Sequence, residues 1–425
     1  MLDIKFIKCN PDKVKKNMEA KFQHDKIGLV DEVLKFYEKY CKVKSQGDVL
    51  RANRTKISKK IGGLLKNGER EKAQLAKQEV VEINNNLEKL TEQQNELFDK
   101  VEKIMMQIPN IIDESVPIGR SDEENVEIEQ FGKPRVVDYE VPYHIDIMEK
   151  FSGIDLDSAR KTSGNGFYYL TGDIARLHSA VLSYARDFMI DRGFTYCIPP
   201  FMVRSEVVDG VMSFSEMENM MYKIENEDLY LIGTSEHSMI GRFLNTVLDE
   251  SKLPIKLTSY SPCFRKEVGA HGIEQRGVYR IHQFEKQEMI VICKPEDSMT
   301  NFFEMLRTTV DFFLTLNIPV RTLECCSGDL ADLKVKSIDV ESWSPRQQKY
   351  FEVGSCSNLG DAQARRLKIR IKGEHGNYFA HTLNNTVVAP PRMLIAFLEN
   401  NYLKDGSVEI PKVLRPYMGN KQKLS

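Results

Sequence analysis

The sequence predicts an α+β protein in two parts, a long antiparallel pair of helices followed by a body built on an antiparallel sheet. Three observations carry that expectation. Two apolar seams with 3,4 spacing run through the first 110 or so residues. Glycine and aromatics are sparse there, and Lys, Glu, Asn and Gln are common. Beyond about residue 170, strand-like runs follow one another through loops instead of alternating with helices in a βαβ repeat.

The 425 residues leave room for two or three domains, and 41% apolar content supports a packed core. Sixty Lys and Arg against 62 Asp and Glu give a net charge of −2. A chain that is basic all over is excluded, so any nucleic-acid contact must use a local patch. No apolar run reaches about 18 residues, so no membrane span is expected. The N-terminus lacks the apolar stretch of a secretory leader. The eight cysteines, at 9, 41, 197, 263, 293, 325, 326 and 356, form no CxxC pair and no disulfide-like framework. A reducing, cytoplasmic setting follows as the default.

Asn10-Pro11 reads as an N-cap followed by proline at the first position of a short helix. The first seam is Val33, Phe36, Tyr40, Val43, Gly47, Leu50, Arg54, Ile57, Ile61 and Leu64, with Gly47 and Arg54 its departures. The second is Val80, Ile83, Leu87, Leu90, Gln94, Leu97, Val101, Ile104 and Ile108, with Gln94 its one polar member. Four heptads of such spacing argue for a coiled coil. Gly62, Gly63 and Gly68 lie between the seams and suit a turn, which makes the pair an antiparallel hairpin. Charge on this arm is uneven. From Arg51 to Lys77 nine basic residues face only Glu69 and Glu71, an excess of seven positive charges in a chain whose total is −2. Such a patch is either a solvated helical face or a surface for nucleic-acid phosphates; its place near the tip of an arm favours the second. Arg51, Arg54, Lys56, Lys59, Lys60 and Lys66 are its candidate contacts.

Residues 111–170 read as a junction with one short strand, Val126-Glu127-Ile128-Glu129. A helix follows, with Leu177, Val181, Tyr184 and Phe188 on one face. No GxxxxGK[ST] loop and no strand–GxGxxG–helix unit is present, so a nucleotide site must be built otherwise.

The stretch PCFRKEVGAHGIEQRGVYRIHQFEKQEMIVI, residues 262–292, reads as strand, loop punctuated by Gly269, Gly272 and Gly277, then strand. Parity puts Arg265 and Glu267 on one face of the first strand, and His282, Phe284, Lys286 and Glu288 on one face of the second. Guanidinium can hold a phosphate or carboxylate in a fork, phenyl can stack on a purine, and carboxylate can accept from an ammonium. The alternative is an edge hairpin with ordinary surface charges. Thr382, Asn384 and Thr386 share parity on a later strand. Pro391 suits the first turn of a helix, with Arg392 beside it. A cation at the positive end of a helix is unfavourable as structure, which favours an anion-binding role. Glu352-Val-Gly-Ser355 offers oxygen ligands for a hard divalent cation, but both residues meet one cation only if the strand bulges, which Gly354 permits.

These segments together resemble the seryl-tRNA synthetases, a family of class II aminoacyl-tRNA synthetases, over essentially residues 1–418. The resemblance rests on the helical arm, RSDEENVEI, TSE at 234–236, FRKE…RGVYRIHQFEKQE, FEVGSCSNLGDAQARRLKIR, HTLN with Thr386, Arg392, and LEN at 398–400. It implies a class II antiparallel sheet flanked by helices, preceded by the coiled-coil arm, with domains at 1–110 (tRNA-binding arm), 111–170 (junction) and 171–425 (catalytic). Leu177 to Pro200 resembles the first motif, a helix and strand that build a homodimer interface.

The activity implied is ligation of serine to tRNA(Ser) through seryl-adenylate, with tRNA(Sec) an open further substrate. Arg265, Glu352 and Arg392 are implied as catalytic. ATP is implied to meet Arg265 (α-phosphate), Glu267, Phe284 (stacked on adenine), Glu352, Ser355 and Arg392 (γ-phosphate). Serine is implied to meet Thr234, Glu236, Arg265, Glu288, Asn384 and Thr386, and Mg²⁺ to meet Glu352 and Ser355. Two departures stand out. Pro390-Pro391 replaces the usual small or polar residues before the arginine, and the alanine-rich run before the family's lysine, here Lys336, is missing. The arm argues against the zinc-dependent branch, so no zinc is expected and Cys325, Cys326 and Cys356 read as core thiols. The competing readings are a silent paralogue that keeps tRNA binding, and a ligase loading a carrier protein.

Overall fold

The structure is a computed structural model and describes residues 1–213, 217, 219–267 and 277–425. It divides into two compact units: residues 2–19 with 23–109, and residue 1 with 20–22 and 110–425.

The first unit is dominated by helices α1 (Gly28–Lys66) and α2 (Arg70–Met105). At 1.5 Å per residue they run roughly 58 and 54 Å. They are antiparallel, since Tyr40 meets Phe98 with ring centroids 5.8 Å apart and Arg54 donates to Asn84 at 3.3 Å further along. Every seam position is buried or half-buried except Arg54, which stays exposed and bonds across the hairpin. The turn is shorter than expected. Gly62 and Gly63 remain helical, and only Gly68, with φ +76°, takes the left-handed conformation that a side chain resists. A short helix does begin at Pro11, but the Asn10 amide turns back to donate to the Phe6 carbonyl at 3.1 Å, closing the helix before it.

In the second unit, eight strands form the main sheet: β1 (Val126–Phe131), β2 (Thr195–Cys197), β3 (Ile255–Phe264), β4 (Gln283–Cys293), β5 (Val320–Glu324), β6 (Lys336–Ser344), β7 (Lys349–Asn358) and β8 (His381–Val388). Their order is β1-β5-β6-β7-β8-β4-β3-β2, antiparallel except for β2 beside β3. Helices α3 (Gly172–Ile190), α4 (Ser235–Gly241), α5 (Ser298–Thr315) and α6 (Pro390–Asn401) complete the frame.

Strand parity divides the sheet chemically. Met289, Val291 and Cys293 of β4, Leu383 and Val387 of β8, and Ile338 and Val340 of β6 join the main core with Phe302 and Phe313 of α5 and Leu177, Val181 and Phe188 of α3. Ile290 and Ile292, of the other parity, pack with Met239 and Ile240 of α4. Phe284, Lys286 and Glu288 continue that second parity back to the start of β4, and there the face turns from apolar to charged.

Several strand boundaries differ from the sequence reading. β3 ends at Phe264, so Arg265 and Glu267 leave from the chain beyond it, and Glu267 has φ +47°. Residues 277–280 and 282 are bends, so His282 precedes β4 and does not share its face. The run NYFAHTLNNTVV is two strands, Gly376–Phe379 in a small three-stranded sheet and β8 in the main one. Gly269 and Gly272 lie outside the described residues.

Candidate active site

One cavity of about 340 Å³ opens on the charged end of the sheet. Its lining includes all eleven expected residues of the body: Thr234, Glu236, Arg265, Glu267, Phe284, Glu288, Glu352, Ser355, Asn384, Thr386 and Arg392. Parity brings Phe284 and Glu288 there from β4, and Asn384 and Thr386 from β8. Thr234 caps the N-terminus of α4, accepting from the Glu236 amide at 3.3 Å, which aims Glu236 inward from the first turn.

At the inner end, charges are tightly paired. Thr234 Oγ1 donates to Glu288 Oε2 at 2.8 Å, and Lys286 forms an ion pair with the same carboxylate. Glu288 is 1% exposed, so this pairing meets the cost of burying its charge. Gln363 donates to Glu236 Oε1 at 2.8 Å. Burial, and then the nearby Glu288 charge, push the Glu236 carboxyl up to about 6. Burial, with Arg265 and Lys286 beside it, holds the His237 imidazole down at about 3, so the ring is neutral.

Across the cavity Arg265 donates through Nε to the Gly233 carbonyl at 3.1 Å, and its guanidinium lies 5.2 Å from the Phe284 ring centroid. Arg280 Nη1 lies 4.0 Å from Glu267. His282 lies behind this wall, its Nδ1 3.0 Å from the Arg265 carbonyl and 3.2 Å from the Tyr222 hydroxyl.

The third wall comes from β7 and α6. Opposite β6, Val340 pairs with Gly354 and Glu341 with Glu352, which leaves Val353 as an extra residue. This is the bulge that the Glu352–Ser355 spacing requires, and it brings both side chains onto the cavity. A Cβ at Gly354 would stand 3.2 Å from Thr386 Cβ, so glycine permits the close approach of β8. Glu352 and Ser355 are hard oxygen donors of the kind that suits Mg²⁺. Arg392 Nη1 pairs with Glu352 at 2.8 Å, and its guanidinium lies 4.6 Å from the Tyr279 ring centroid. The helix starts one residue earlier than expected, at Pro390, with Arg392 still in the first turn.

Sequence reasoning passed over Tyr279, Arg280, His237 and Lys334, all of which line the cavity, and gave Lys286 a strand face but no role. The first three lie within or beside stretches already singled out, so proximity to those motifs was their only signal. Lys336, at the position of the family's lysine, is instead buried in an ion pair with Glu324 and donates to Ser115 at 2.8 Å, whereas Lys334 reaches the cavity. On the arm, Arg54, Lys56, Lys59, Lys60 and Lys66 are exposed on α1, and half-buried Arg51 pairs with Asp48 at 2.7 Å.

The antiparallel sheet, with a cavity lined by Arg265, Arg280 and Arg392, is that of a class II aminoacyl-tRNA synthetase. The model of the class II tRNA synthetase core domain (G, H, P, S and T) matches residues 220–401, and that of the seryl-tRNA synthetase N-terminal domain matches residues 1–112. The chain is 38% identical to the serine–tRNA ligase of Methanospirillum hungatei, over the whole of both proteins. The crystal structure of seryl-tRNA synthetase from Pyrococcus horikoshii complexed with ATP superposes with a TM-score of 0.92, at 38% identity, covering 100% of this chain and 99% of that one. The cytoplasmic serine–tRNA ligase of Naegleria fowleri in complex with AMP gives 0.87 at 32% identity, again with 100% and 99% coverage. The chain belongs to the seryl-tRNA synthetase family.

Proposed function

We propose that this cavity carries out the family's two-step reaction, seryl-adenylate formation followed by transfer to tRNA(Ser), with the roles given below. The observation that supports it most is that residues from five separate segments, 234–236, 265–288, 352–355, 384–386 and 392, line one cavity.

Serine enters with its ammonium toward Glu288 and Glu236 and its hydroxyl among Thr234, Asn384 and Thr386. Polar groups left unpaired by alanine reject it strongly, whereas threonine must be excluded by the walls. Arg265 holds the serine carboxylate against the α-phosphate of ATP. Phe284 stacks on adenine, Glu267 meets the adenine or ribose side, and Arg392 grips the γ-phosphate. A serine carboxylate oxygen attacks the α-phosphorus, the bond to the bridging oxygen breaks, and pyrophosphate leaves with that electron pair. No enzymic nucleophile is needed; alignment and positive charge lower the barrier. The 3′-terminal hydroxyl of the tRNA then attacks the seryl carbonyl, and AMP leaves.

Glu352 and Ser355 would hold Mg²⁺, which would neutralise phosphate charge. No zinc takes part in this reading, which rests on the coiled-coil arm, matched by the seryl-tRNA synthetase N-terminal domain. The arm, residues 1–110, binds the tRNA through the phosphates facing Arg51, Arg54, Lys56, Lys59, Lys60 and Lys66. Residues 111–170 join it to the catalytic domain, 171–425. The working protein is a cytoplasmic homodimer built on α3 and β2. Among the described residues no helix is long and apolar enough to cross a membrane.

The test is ATP–pyrophosphate exchange with each of the twenty amino acids. Exchange dependent on serine, and lowered about 10²-fold or more by Arg265→Ala, is expected. Exchange with another amino acid alone, or near-normal exchange in that variant, would overturn the assignment.

A further inference from the structure

The lysines and arginines that line the cavity are Arg265, Arg280, Lys286, Lys334 and Arg392. Three of them have a carboxylate at hand: Lys286 pairs with Glu288, Arg392 with Glu352, and Arg280 lies 4.0 Å from Glu267. Among the described residues, Arg265 and Lys334 form no ion pair. Arg265 lies against Phe284, where the serine carboxylate and the α-phosphate are proposed to meet it. Lys334 has a neutral hydroxyl as its partner, since its Nζ donates to Ser337 Oγ at 3.2 Å. An ammonium has three protons to donate, so two are left for solvent or a bound ligand.

The backbone that carries Lys334 is held on both sides. Its own N–H donates to the Ala331 carbonyl at 3.1 Å, which closes a turn, and the Val335 N–H donates to the Asn358 carbonyl at 2.8 Å beside the start of β6. The Asn110 amide donates to the carbonyls of Leu333 at 3.1 Å and Leu359 at 3.0 Å, tying this turn to the end of β7. Leu333 is buried with Leu359 and Ala362. Lys334 is thus presented, half-buried, from a pinned turn onto the cavity. Ser337 shows which part of the cavity it meets. The Ser337 hydroxyl lies 3.1 Å from Ser355 Oγ and 3.2 Å from Ser357 Oγ, and both of those serines line the cavity. The ammonium therefore stands two hydrogen bonds from the Ser355 hydroxyl. A neutral hydroxyl compensates a half-buried ammonium weakly, whereas a phosphate oxygen would make a charge-assisted bond with it.

We propose that Lys334 contacts substrate during adenylate formation: its ammonium takes an oxygen of the ATP phosphate that lies against Ser355. This rests on the reading of the cavity as an ATP site given above. Lys334 adds positive charge on the side of the wall where β6 meets β7, and Arg392 supplies it beside Glu352.

The test uses the full chain. Binding of a non-hydrolysable ATP analogue is measured by isothermal titration calorimetry. Serine-dependent exchange is measured with ATP and serine varied separately, and transfer to tRNA is followed alongside. K334A is expected to weaken analogue binding, and to lower kcat/KM for ATP, about 10- to 100-fold, the scale of one hydrogen bond to a charged group. Serine KM should change little. K334M, which keeps the length of the side chain and loses its charge, should behave as K334A, and K334R should recover most of the loss. A lysine that only packs its stem over Ser337 would give the reverse order, with K334M near the wild-type protein and K334R impaired. That reverse order, wild-type analogue affinity in K334A and K334M, a loss confined to serine KM, or a loss seen only in transfer would each overturn the proposal. Absence of serine-dependent exchange in the wild-type chain would remove the ATP reading and the proposal with it. Exchange that Arg265→Ala lowers and K334A leaves unchanged would remove the proposal alone.

Discussion

Arg392 Nη1 and Glu352 Oε2 stand 2.8 Å apart, with the Tyr279 ring 4.6 Å from the guanidinium centre. The cation proposed for the γ-phosphate and the carboxylate proposed for Mg²⁺ are therefore neighbours before any substrate is present, each neutralising the other. Arg392→Ala is expected to lower serine-dependent exchange about 10²- to 10³-fold, as loss of a transition-state donor does, with little change in serine affinity. Arg392→Lys should rescue it poorly, because an ammonium lacks the planar fork and the stacking on Tyr279. Initial rates with ATP and serine varied separately check this; a loss confined to serine KM would contradict the assignment.

Gly354 tests the bulge. Its substitution by alanine puts a Cβ 3.2 Å from Thr386 Cβ and 3.4 Å from the Thr386 carbonyl, so β7 and β8 must part slightly. A loss of about 1–3 kcal/mol in unfolding free energy is expected from such overpacking, measured by chemical denaturation. The half-saturating Mg²⁺ should rise in the same variant, because Glu352 and Ser355 flank the displaced residue.

Glu236 sets a pH limit on serine. Its carboxyl is pushed up to about 6, so it ionises above that value and is neutral below it. A neutral Glu236 attracts an ammonium less, so serine KM should rise as pH falls through about 6. The ATP KM should change less. Glu236→Gln should raise serine KM at neutral pH and remove that part of the pH dependence. A serine KM as steep in the variant as in the wild-type protein would contradict this.

The arm's basic residues should matter for transfer and not for adenylation. Replacing Lys56, Lys59, Lys60 and Lys66 by alanine is expected to weaken tRNA binding and to flatten its salt dependence, because fewer counterions are released. Serine-dependent exchange should stay near its original rate. Filter binding across a salt series checks the first expectation, and exchange the second.

Much of this is legible in the sequence, where a physical period governs the chain. The 3,4 seams located α1 and α2 because a coiled-coil face must repeat along its length. Period-2 parity set Asn384 and Thr386 against Leu383 and Val387, because β8 is regular over most of its length. A bulge was the condition for Glu352 and Ser355 to reach one side of a strand, and it falls at Val353, beside the Gly354 that permits it. Periodicity failed where the chain leaves its elements. Pro262 sits inside β3 yet gives no sign that pairing stops two residues later, at Phe264. Nothing local places Lys334 in the cavity rather than Lys336, a choice made by the distant Glu324 and Ser115. Tyr279 acquires its place beneath Arg392 only through contacts more than 100 positions away. The Lys286–Glu288 pair was half legible: parity put both on one face, but their mutual contact depends on burial that parity does not report.

The most direct measurement of the central claim is a crystal structure of the full chain with a non-hydrolysable seryl-adenylate analogue. The adenine should lie on Phe284, the phosphate mimic on Arg265, and the seryl ammonium within hydrogen-bond reach of Glu288. An analogue bound away from the 340 Å³ cavity, or bound there with its seryl end remote from Thr234 and Glu288, would contradict the account.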